Sequence, residues 1–247
     1  RILVLAAPGR NPVSGAARAN RNDVLALELA RQLTPDVSVL YAASDAAATA
    51  DYLAYGATEI SHVPATPAHD IAKTLADQAR GHDLILAGTR AEGGEGSGLV
   101  PYLVAQALGL PIVAQAIAIT IADGHAEITQ ALAKGQRRQV RVALPAVVVV
   151  HPGAPVTPRY AHARRLSGTL QTLPAPAVAS EPAAWHAGPA TRRPVKFKAP
   201  ETKAGHARML SAIVAPARGG TVLASGSAAD KAQAILDYLR RHQLIDW

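Results

Sequence analysis

Residues 84–98 read LILAGTRAEGGEGSG, an apolar run followed directly by a glycine-rich loop. The run predicts a buried strand, and the residues after Gly98 have a helical pattern that ends near Leu108-Gly109. Backbone amides in such a loop and at the start of the helix can hold a phosphate group, and Ser97 adds a hydroxyl donor. A strand, a glycine loop and a helix in this order predict an α/β fold with an anion site after one strand.

The residues before this stretch repeat the alternation of strand and helix patterns. Short apolar runs predict strands at residues 2–5, 37–41 and 60–63. Helical spacing predicts helices from an Asn22-Asp23 cap to residue 33, over residues 46–55 with a left-handed close at Gly56, and over residues 68–80. Repeated β–α units with short links imply a doubly wound, mainly parallel, Rossmann-like sheet covered on both faces.

The pattern changes after Pro111. Residues 112–121 and 126–132 flank the turn signal Asp123-Gly124 and predict a hairpin extension, and further strands are expected at residues 140–143 and 146–150. Beyond residue 170 the chain is rich in proline, alanine and basic residues to about residue 203, which predicts an extended C-terminal arm. Ser227 then opens a helix to about residue 242. The expected domains are residues 1–170, a nucleotide-binding α/β domain, and residues 171–247, the arm and terminal helix.

Composition excludes several classes of chemistry. The chain has no cysteine, which rules out disulfides, thiolate catalysis and cysteine-ligated metal centres. Aromatic residues make up 4% of a chain that is 49% hydrophobic, so the core must be built from Ala, Val, Leu and Ile. The longest apolar stretch, residues 144–150, is too short to span a bilayer, and residues 1–5 resemble a first strand rather than an export signal. We expect a protein of the bacterial cytoplasm that is not membrane-embedded.

Charge is distributed unevenly. Residues 1–127 carry 8 basic and 13 acidic side chains, whereas residues 128–229 carry 14 basic and 2 acidic ones. Such a basic segment suits nucleic acid or an acidic protein surface. Nucleic-acid modules usually interleave aromatic residues for stacking, and here only Tyr160, Trp185 and Phe197 lie in the basic region. The balance favours an acidic protein partner over nucleic acid.

No motif predicts catalysis or metal binding. The loop lacks a Gly-Lys-Ser/Thr ending, the first strand is not followed by Gly-x-Gly-x-x-Gly, and Ser97 does not sit in a Gly-x-Ser-x-Gly elbow. The nine histidines lack metal-ligand spacing. Glu92 and Glu95 form a possible carboxylate pair, but solvated loop residues explain them more simply. We therefore expect a binding or carrier protein rather than an enzyme.

Several segments, taken in order, resemble the beta subunit of electron-transfer flavoproteins. They are residues 1–4, 20–31, 52–57 (YLAYGA), 83–88 with the glycine loop, 143–148 (ALPAVV), 158–160 (PRY), and 219–222 with the helix over 228–240. Each motif is weak alone, but their order and spacing cover nearly the whole chain. In that family the beta-type subunit is a non-catalytic partner that holds AMP as a structural ligand, while the alpha-type subunit carries the redox-active FAD.

The resemblance implies sites and partners. The AMP pocket would be formed by Leu5, Ala6, Asn20, Arg21, Asn22, Asp23, Gly88, Glu95, Gly96, Ser97 and Gly98. Electrons would enter from a flavin dehydrogenase and leave toward a quinone oxidoreductase, and the arm would embrace the alpha-type subunit. A second FAD in place of AMP, as in electron-bifurcating members, is the less favoured alternative because the loop lacks their Asp-Gly-Asp-Thr run.

The docking loop of the family follows its Pro-Arg-Tyr element. Here that segment contains Arg159, Tyr160, Ala163, Arg164 and Arg165, with Ala163 at the position where the family usually offers a leucine to the dehydrogenase. An amine or N-methyl-amino-acid dehydrogenase is thus as plausible a donor as an acyl-CoA dehydrogenase. The basic residues predict docking by electrostatic steering to an acidic surface.

Two other classes remain open from the sequence. A stand-alone adenine-nucleotide-binding protein of the universal-stress type has a similar fold but does not need residues 170–218. An ATP-pyrophosphatase needs a serine- and glycine-rich loop directly after the first strand, and Pro12-Val13-Ser14-Gly15 is only a faint version of it.

Overall fold

The structure is a computed structural model that describes residues 1–66, 68–93, 96–173, 178–179, 205–206, 209, 222–242 and 244–245. The chain divides into two compact units, Arg1–Trp185 and His186–Trp247. The first unit holds the sheet and the candidate site.

Strands supply the centre of the first unit. Their bounds are β1 (Ile2–Ala6), β2 (Pro8–Arg10), β3 (Ala17–Ala19), β4 (Ser38–Ala43), β5 (Glu59–Pro64), β6 (Leu84–Gly88), β7 (Ile112–Ala122), β8 (His125–Ala131), β9 (Arg137–Ala143), β10 (Ala146–Val150) and β11 (Thr169–Thr172). The helices are α1 (Arg21–Leu33), α2 (Thr49–Tyr55), α3 (Ile71–Ala79), α4 (Val100–Leu108) and α5 (His162–Ser167), with a 3₁₀ turn at Ala133–Gly135. The second unit contains the helix α6 (Ala228–Arg241).

Nine strands form one sheet in the order β11-β5-β4-β1-β6-β10-β7-β8-β9. The pairs from β11 to β7 are parallel, and β7, β8 and β9 pair antiparallel as a hairpin extension. The turn between β7 and β8 is Asp123-Gly124, with φ of 50° and 71°. The doubly wound, mainly parallel α/β fold with its hairpin extension is therefore confirmed.

Alternate residues of the central strand β1 face two cores. Ile2, Val4 and Ala6 lie in a core with buried residues of α1 and α2. Leu3 and Leu5 lie in a second core with residues of α3 and α4. Because both faces of the strand are covered, all five of its residues are buried and its sequence is continuously apolar.

Three helix boundaries differ from the sequence-based expectation. Helix α1 is capped by Asn20, whose side chain accepts the Asn22 N–H, and not by Asn22-Asp23. Helix α2 begins at Thr49 rather than residue 46. Helix α3 begins at Ile71 rather than residue 68, because the Asp70 side chain accepts the Lys73 N–H. The predicted left-handed close of α2 at Gly56 is confirmed, with φ of 105°.

Two strand pairings were not predicted. Residues 8–19 form the small hairpin β2–β3, and β11 adds to the sheet edge parallel to β5. Further along, the Val178 N–H donates to Thr74 Oγ1 and the Asp70 N–H donates to the Val178 carbonyl, both within the first unit. The segment predicted to be an arm, residues 171–218, thus begins with residues of β11, and most of it lies outside the described residues. The domain boundary at residue 170 stays a prediction.

Helix α6 begins as predicted. Ser227 caps it in a capping box, in which its side chain accepts the Asp230 N–H at 3.2 Å and Asp230 accepts the Ser227 N–H at 2.9 Å. The helices that the structure describes are all too short or too polar to cross a membrane.

Candidate nucleotide-binding site at the switch point of the sheet

The direction of winding reverses beside β1. The chain passes from β1 through β4 to β5 on one side and returns to place β6 on the other side of β1. In open parallel sheets, ligands bind in the crevice outside the carboxyl ends of the strands at such a reversal. The crevice here is bounded by Ala7 after β1, by Gly88 and the loop after it, and by the N-terminus of α1.

A buried carboxylate joins the two strand ends. Asp23 lies in the first turn of α1 and is 4% exposed. Its Oδ2 accepts the Ala7 N–H at 2.9 Å, and its Oδ1 accepts the Gly88 N–H at 3.2 Å. The single side chain therefore fixes the chain leaving β1 relative to the chain leaving β6.

Two further buried side chains complete the network. Asn20 Nδ2 donates to Asp23 Oδ2 at 3.0 Å and to the Arg90 carbonyl at 3.1 Å. The Tyr52 hydroxyl accepts the Asn20 N–H at 3.0 Å, and it lies 2.8 Å from the Ala7 carbonyl and 3.2 Å from Asp23 Oδ2. Asn20 and Tyr52 are both 0% exposed. Helices α1 and α2 are thereby tied to the loops after β1 and β6.

Burial dominates the titration of this network. It raises the pKa of Asp23 to about 7, although the hydrogen bonds from Ala7, Asn20, Tyr52 and Gly88 each favour the charged form. Burial, with the Asp23 charge as a second cause, holds the pKa of Tyr52 well above its ordinary value. A carboxyl group that titrates near neutral pH thus stands at the edge where the sequence predicts an anion.

Gly88 is required by the close approach of α1. A Cβ atom on Gly88 would lie 2.7 Å from the backbone carbon of Asn22 and would also meet Asp23 Oδ1. Such distances do not occur for real Cβ atoms, and the backbone of a helix start cannot rotate away. Glycine at the end of β6 is therefore needed for the hydrogen bond between Asp23 and Gly88.

The glycine-rich loop folds back on itself and against the β2–β3 hairpin. A Cβ on Gly98, which has φ of 74°, would lie 2.7 Å from the Thr89 carbonyl, and one on Gly93 would lie 3.0 Å from the Pro8 carbonyl. Glu92 pairs with Arg18 of β3, at 3.0 Å from Arg18 Nη2 to Oε2. Within the described residues, no side chain caps the start of α4, since Leu99 has no acceptor. Pro101 has no N–H, and the Tyr102 and Leu103 N–H groups donate to the Leu99 carbonyl, so the Val100 N–H is the one first-turn amide that can face the loop.

One buried hydroxyl group near the crevice lacks a partner. Tyr41 pairs with Ala6 across the sheet, is 0% exposed, and its hydroxyl finds no hydrogen bond in the part of the chain that the structure describes. Burial raises the pKa of Tyr41, so the group stays protonated and able to donate. Tyr41 lies two residues before the end of β4, and its unsatisfied hydroxyl is a donor available to a polar group.

The structure brings together most of the residues predicted to bind a nucleotide. Asn20, Asn22, Asp23 and Gly88 meet at the crevice, with Leu5 and Ala6 buried in the strand that leads into it. Arg21 is exposed, and its backbone N–H lies 3.4 Å from Glu92 Oε1. Gly96, Ser97 and Gly98 close the loop, with Ser97 Oγ accepting the Leu99 N–H at 3.3 Å. Glu95 lies outside the described residues.

Sequence reasoning missed Tyr52 and the pairing of Arg18 with Glu92. The signal for Tyr52 was present, because a tyrosine within an alanine-rich helix is expected to be buried and to need a partner for its hydroxyl group. Glu92 was interpreted as a solvated loop residue, whereas it receives two hydrogen bonds from the Arg18 guanidinium, at 3.0 and 3.1 Å. No sequence pattern connects residues 74 positions apart.

The predicted docking segment is a short helix rather than a loop. Helix α5 contains Ala163, Arg164 and Arg165. The segment is fastened to α2, because the Ala161 N–H donates to the Ala54 carbonyl at 2.9 Å. The Tyr160 ring also meets the Tyr55 ring edge-on, with centroids 5.3 Å apart. Arg159, Ala163 and Arg165 are exposed.

Two features of α5 change the expectation for docking. Arg164 is half-buried and lines an open cavity of about 300 Å³ together with Arg31 of α1, so it is not a freely exposed charge. Leu166 lies one helical turn from Ala163 and is 79% exposed. Although Ala163 is too small to anchor a partner, the same face of α5 does present a leucine.

The chain is similar in sequence to known proteins over nearly its whole length. A family model described as the electron transfer flavoprotein domain matches residues 14–178. The curated protein "Electron transfer flavoprotein subunit beta" from Chromohalobacter salexigens is 37% identical over 257 residues, which cover 99% of this chain and 95% of that protein. The match thus extends over the whole sheet, the crevice and helix α5. Among the described residues, no group of three or more His, Asp or Glu side chains is placed to hold a metal ion.

Proposed function

The chain belongs to the electron transfer flavoprotein beta-subunit family, and from that premise we propose that it is the beta-type partner in a heterodimer that passes electrons through an FAD held mainly by an alpha-type subunit. Its own ligand is AMP, bound at the crevice between the ends of β1 and β6. In this role the chain is an electron-carrier subunit and not a catalyst.

The observation that carries AMP binding is the glycine cradle at the switch point. Gly88 lets α1 approach the end of β6, Gly98 lets the loop fold back on Thr89, and the Val100 N–H at the start of α4 adds a backbone donor. Backbone N–H groups and the Ser97 hydroxyl are donors that suit a phosphate group, and the Asp23 carboxylate is the negative side chain that lies beside them. The Tyr41 hydroxyl, buried two residues before the end of β4, is a donor for the nucleoside portion.

The residues proposed from the family resemblance divide into two roles. Asn20 and Asp23 have polar atoms that are already engaged inside the protein, so we assign them to positioning the strand ends. Ser97 and the backbone at Gly96 and Gly98 are assigned to the nucleotide itself. Leu5 and Ala6 support the crevice from the strand below it.

Docking to the electron donor is assigned to α5 and its flanks. Arg159 and Arg165 supply positive charge for steering, and Leu166 with Tyr160 supplies apolar area for the contact. This mixed surface suits an acidic flavin dehydrogenase of either the acyl-CoA or the amine and N-methyl-amino-acid type. The electrons then leave the heterodimer toward a quinone oxidoreductase.

Co-purification tests the heterodimer. The chain is produced together with its alpha-type partner, with the tag on this chain only, and the eluate is examined by gel filtration and absorbance. We expect one yellow species with an equal amount of each subunit. A stable colourless homo-oligomer that ignores the alpha-type partner would instead support a stand-alone nucleotide-binding protein.

A further inference from the structure

Asp23 joins the ends of β1 and β6 at the proposed anion site, and its negative charge would repel an anionic ligand. We propose that Asp23 couples nucleotide binding at the switch point to the uptake of a proton, which the carboxylate then shares with the Tyr52 hydroxyl group. This inference rests on the proposed function, since it concerns the same crevice.

The hydrogen bonds of Asp23 to Tyr52 and Gly88 can be made in both protonation states, whereas the Ala7 N–H and Asn20 Nδ2, which both donate to Oδ2, bond more weakly once that oxygen is protonated. When Asp23 is ionised, the Tyr52 hydroxyl, 3.2 Å away, donates to Oδ2. When Oδ2 carries a proton, it donates that proton to the Tyr52 oxygen, and the Tyr52 hydroxyl turns to the Ala7 carbonyl at 2.8 Å. The Gly88 N–H still donates to Oδ1 in both states. When Asp23 is neutral, the link between β1 and β6 runs through Tyr52, which bonds both Oδ2 and the Ala7 carbonyl, and through the Gly88 N–H on Oδ1.

The surroundings leave the charge of Asp23 uncompensated. The groups that hydrogen-bond to it in the described part of the chain are two backbone amides, the Asn20 amide and the Tyr52 hydroxyl, all of them neutral. Of the charged side chains on the flanking elements, Arg18 is paired with Glu92, and Asp51 of α2 accepts the Ala19 N–H. Arg10, Arg21 and Arg90 lie on the adjoining segments, and none of them bonds to the carboxylate.

The direction of the coupling follows from electrostatics. With no ligand, the pKa of Asp23 is about 7, so the carboxyl group is partly ionised near neutral pH. A phosphate group at the ends of β1 and β6 adds negative charge nearby and favours the neutral form. Binding then draws a proton from the buffer onto Asp23 Oδ2. By linkage, nucleotide affinity falls as the pH rises above about 7.

Calorimetry on the heterodimer tests the proposal. AMP is titrated into nucleotide-depleted heterodimer at a pH of about 7.5, in buffers of different ionisation enthalpy, and the slope of binding heat against that enthalpy gives the protons taken up. AMP titrates in its own right, so Asp23→Asn is the matched control. We expect wild-type protein to take up a substantial fraction of a proton more than Asp23→Asn does.

A second variant keeps the test independent of how well Asp23→Asn folds. Tyr52→Phe removes a hydrogen bond that favours the charged carboxylate, so the pH at which AMP affinity begins to fall should move upward. Equal proton uptake in the wild type and Asp23→Asn, or an unshifted pH profile in Tyr52→Phe, would overturn the coupling. Failure of the wild-type heterodimer to bind AMP at all would instead overturn the proposed function.

Discussion

Asp23 accepts the backbone N–H of Gly88 at 3.2 Å across 65 residues of sequence, and this bond joins the first turn of α1 to the last residue of β6. The bond exists because residue 88 has no side chain, since a Cβ there would lie 2.7 Å from the Asn22 backbone. The glycine that the sequence assigns to a phosphate loop therefore also serves the packing of α1 on the sheet.

Gly88→Ala should destabilise the first unit. The methyl group meets backbone at the helix start, so α1 must shift, and such overpacking typically lowers the free energy of unfolding by about 1–3 kcal/mol. Urea denaturation of the variant and the wild type measures the change. Gly205→Ala is the control, because a Cβ at that position has nothing within 4 Å. An unchanged midpoint for Gly88→Ala would mean that α1 is not packed as described.

Asp23 should make stability depend on pH. Its pKa rises from 3.8 to about 7 on folding, so the folded state binds more protons than the unfolded state between these values. The free energy of unfolding contributed by this group is therefore highest below pH 3.8 and falls as the pH rises to about 7. The shift of roughly 3 units corresponds to at most about 4 kcal/mol.

Comparison with Asp23→Asn isolates that contribution. Asp83 and Asp230 have lowered pKa values, and each contributes stability that is lost as the pH falls, so the wild-type curve alone mixes opposite trends. The difference between wild type and Asp23→Asn should decline from pH about 4 to about 7 and then stay level. A difference that is the same at every pH would show that folding does not shift the pKa of Asp23.

Gly98→Leu should lower nucleotide content. Gly98 has φ of 74°, and a side chain there would lie 2.7 Å from the Thr89 carbonyl, so the loop must open. The nucleotide released by denaturing the purified heterodimer should fall well below that of the wild type, while flavin content stays the same. Gly135→Leu is the control: Gly135 has φ of 76° in the 3₁₀ turn between β8 and β9, and a Cβ there has nothing within 4 Å, so this variant should keep full occupancy.

The sequence predicted the features of the fold and the site that depend on residues close together in the chain, and it did not predict those that depend on distant residues. Local signals were sufficient for the Gly56 close of α2, for the Asp123-Gly124 turn and for the Ser227 cap, because the residues involved lie within a few positions of one another. The positions of Asn20 and Asn22 in the crevice were predicted, but Asn20 proved to be the cap. The roles of Tyr52 and Arg18 depend on partners 29 to 74 residues away, which no local pattern encodes.

The expectation for docking did not include Leu166, because its position depends on the helix that this segment forms. In the sequence, Ala163 stands where a leucine was expected, which suggested steering by charge alone. Helix formation over His162–Ser167 places Leu166 one turn further on the same side and leaves it 79% exposed. Arg164 is half-buried and lines a cavity together with Arg31. An apolar contact at the same surface is therefore available.

Charge reversal at α5 should slow electron transfer from the dehydrogenase. Arg159→Glu with Arg165→Glu reverses the two exposed charges and removes steering toward an acidic surface, so we expect a lower second-order rate and intact flavin content. Wild-type rates should also fall with salt, as the Debye length shrinks from ~10 Å at 0.1 M to ~3 Å at 1 M. Arg137→Glu, at an exposed position in the hairpin extension, is the charge control. Rates that ignore both the reversal and the salt would place the docking surface elsewhere.

Leu166→Ala separates contact from steering at the same helix. The variant keeps all charges, so the salt dependence should stay as in the wild type, while the complex with the dehydrogenase dissociates faster. Val13→Ala, at a site 95% exposed in the first unit, controls for general loss of apolar surface. Stopped-flow rates over a range of dehydrogenase concentrations separate association from dissociation. Equal dissociation rates for Leu166→Ala and Val13→Ala would show that Leu166 is not part of the interface.

The identity of the nucleotide tests the central claim most directly. The purified heterodimer is denatured, and the released small molecules are separated by chromatography and quantified against the protein. We predict AMP and FAD in near-equal amounts, one of each per heterodimer, with AMP following this chain when the subunits are separated. Two FAD molecules and no AMP, or no nucleotide associated with this chain, would contradict the account.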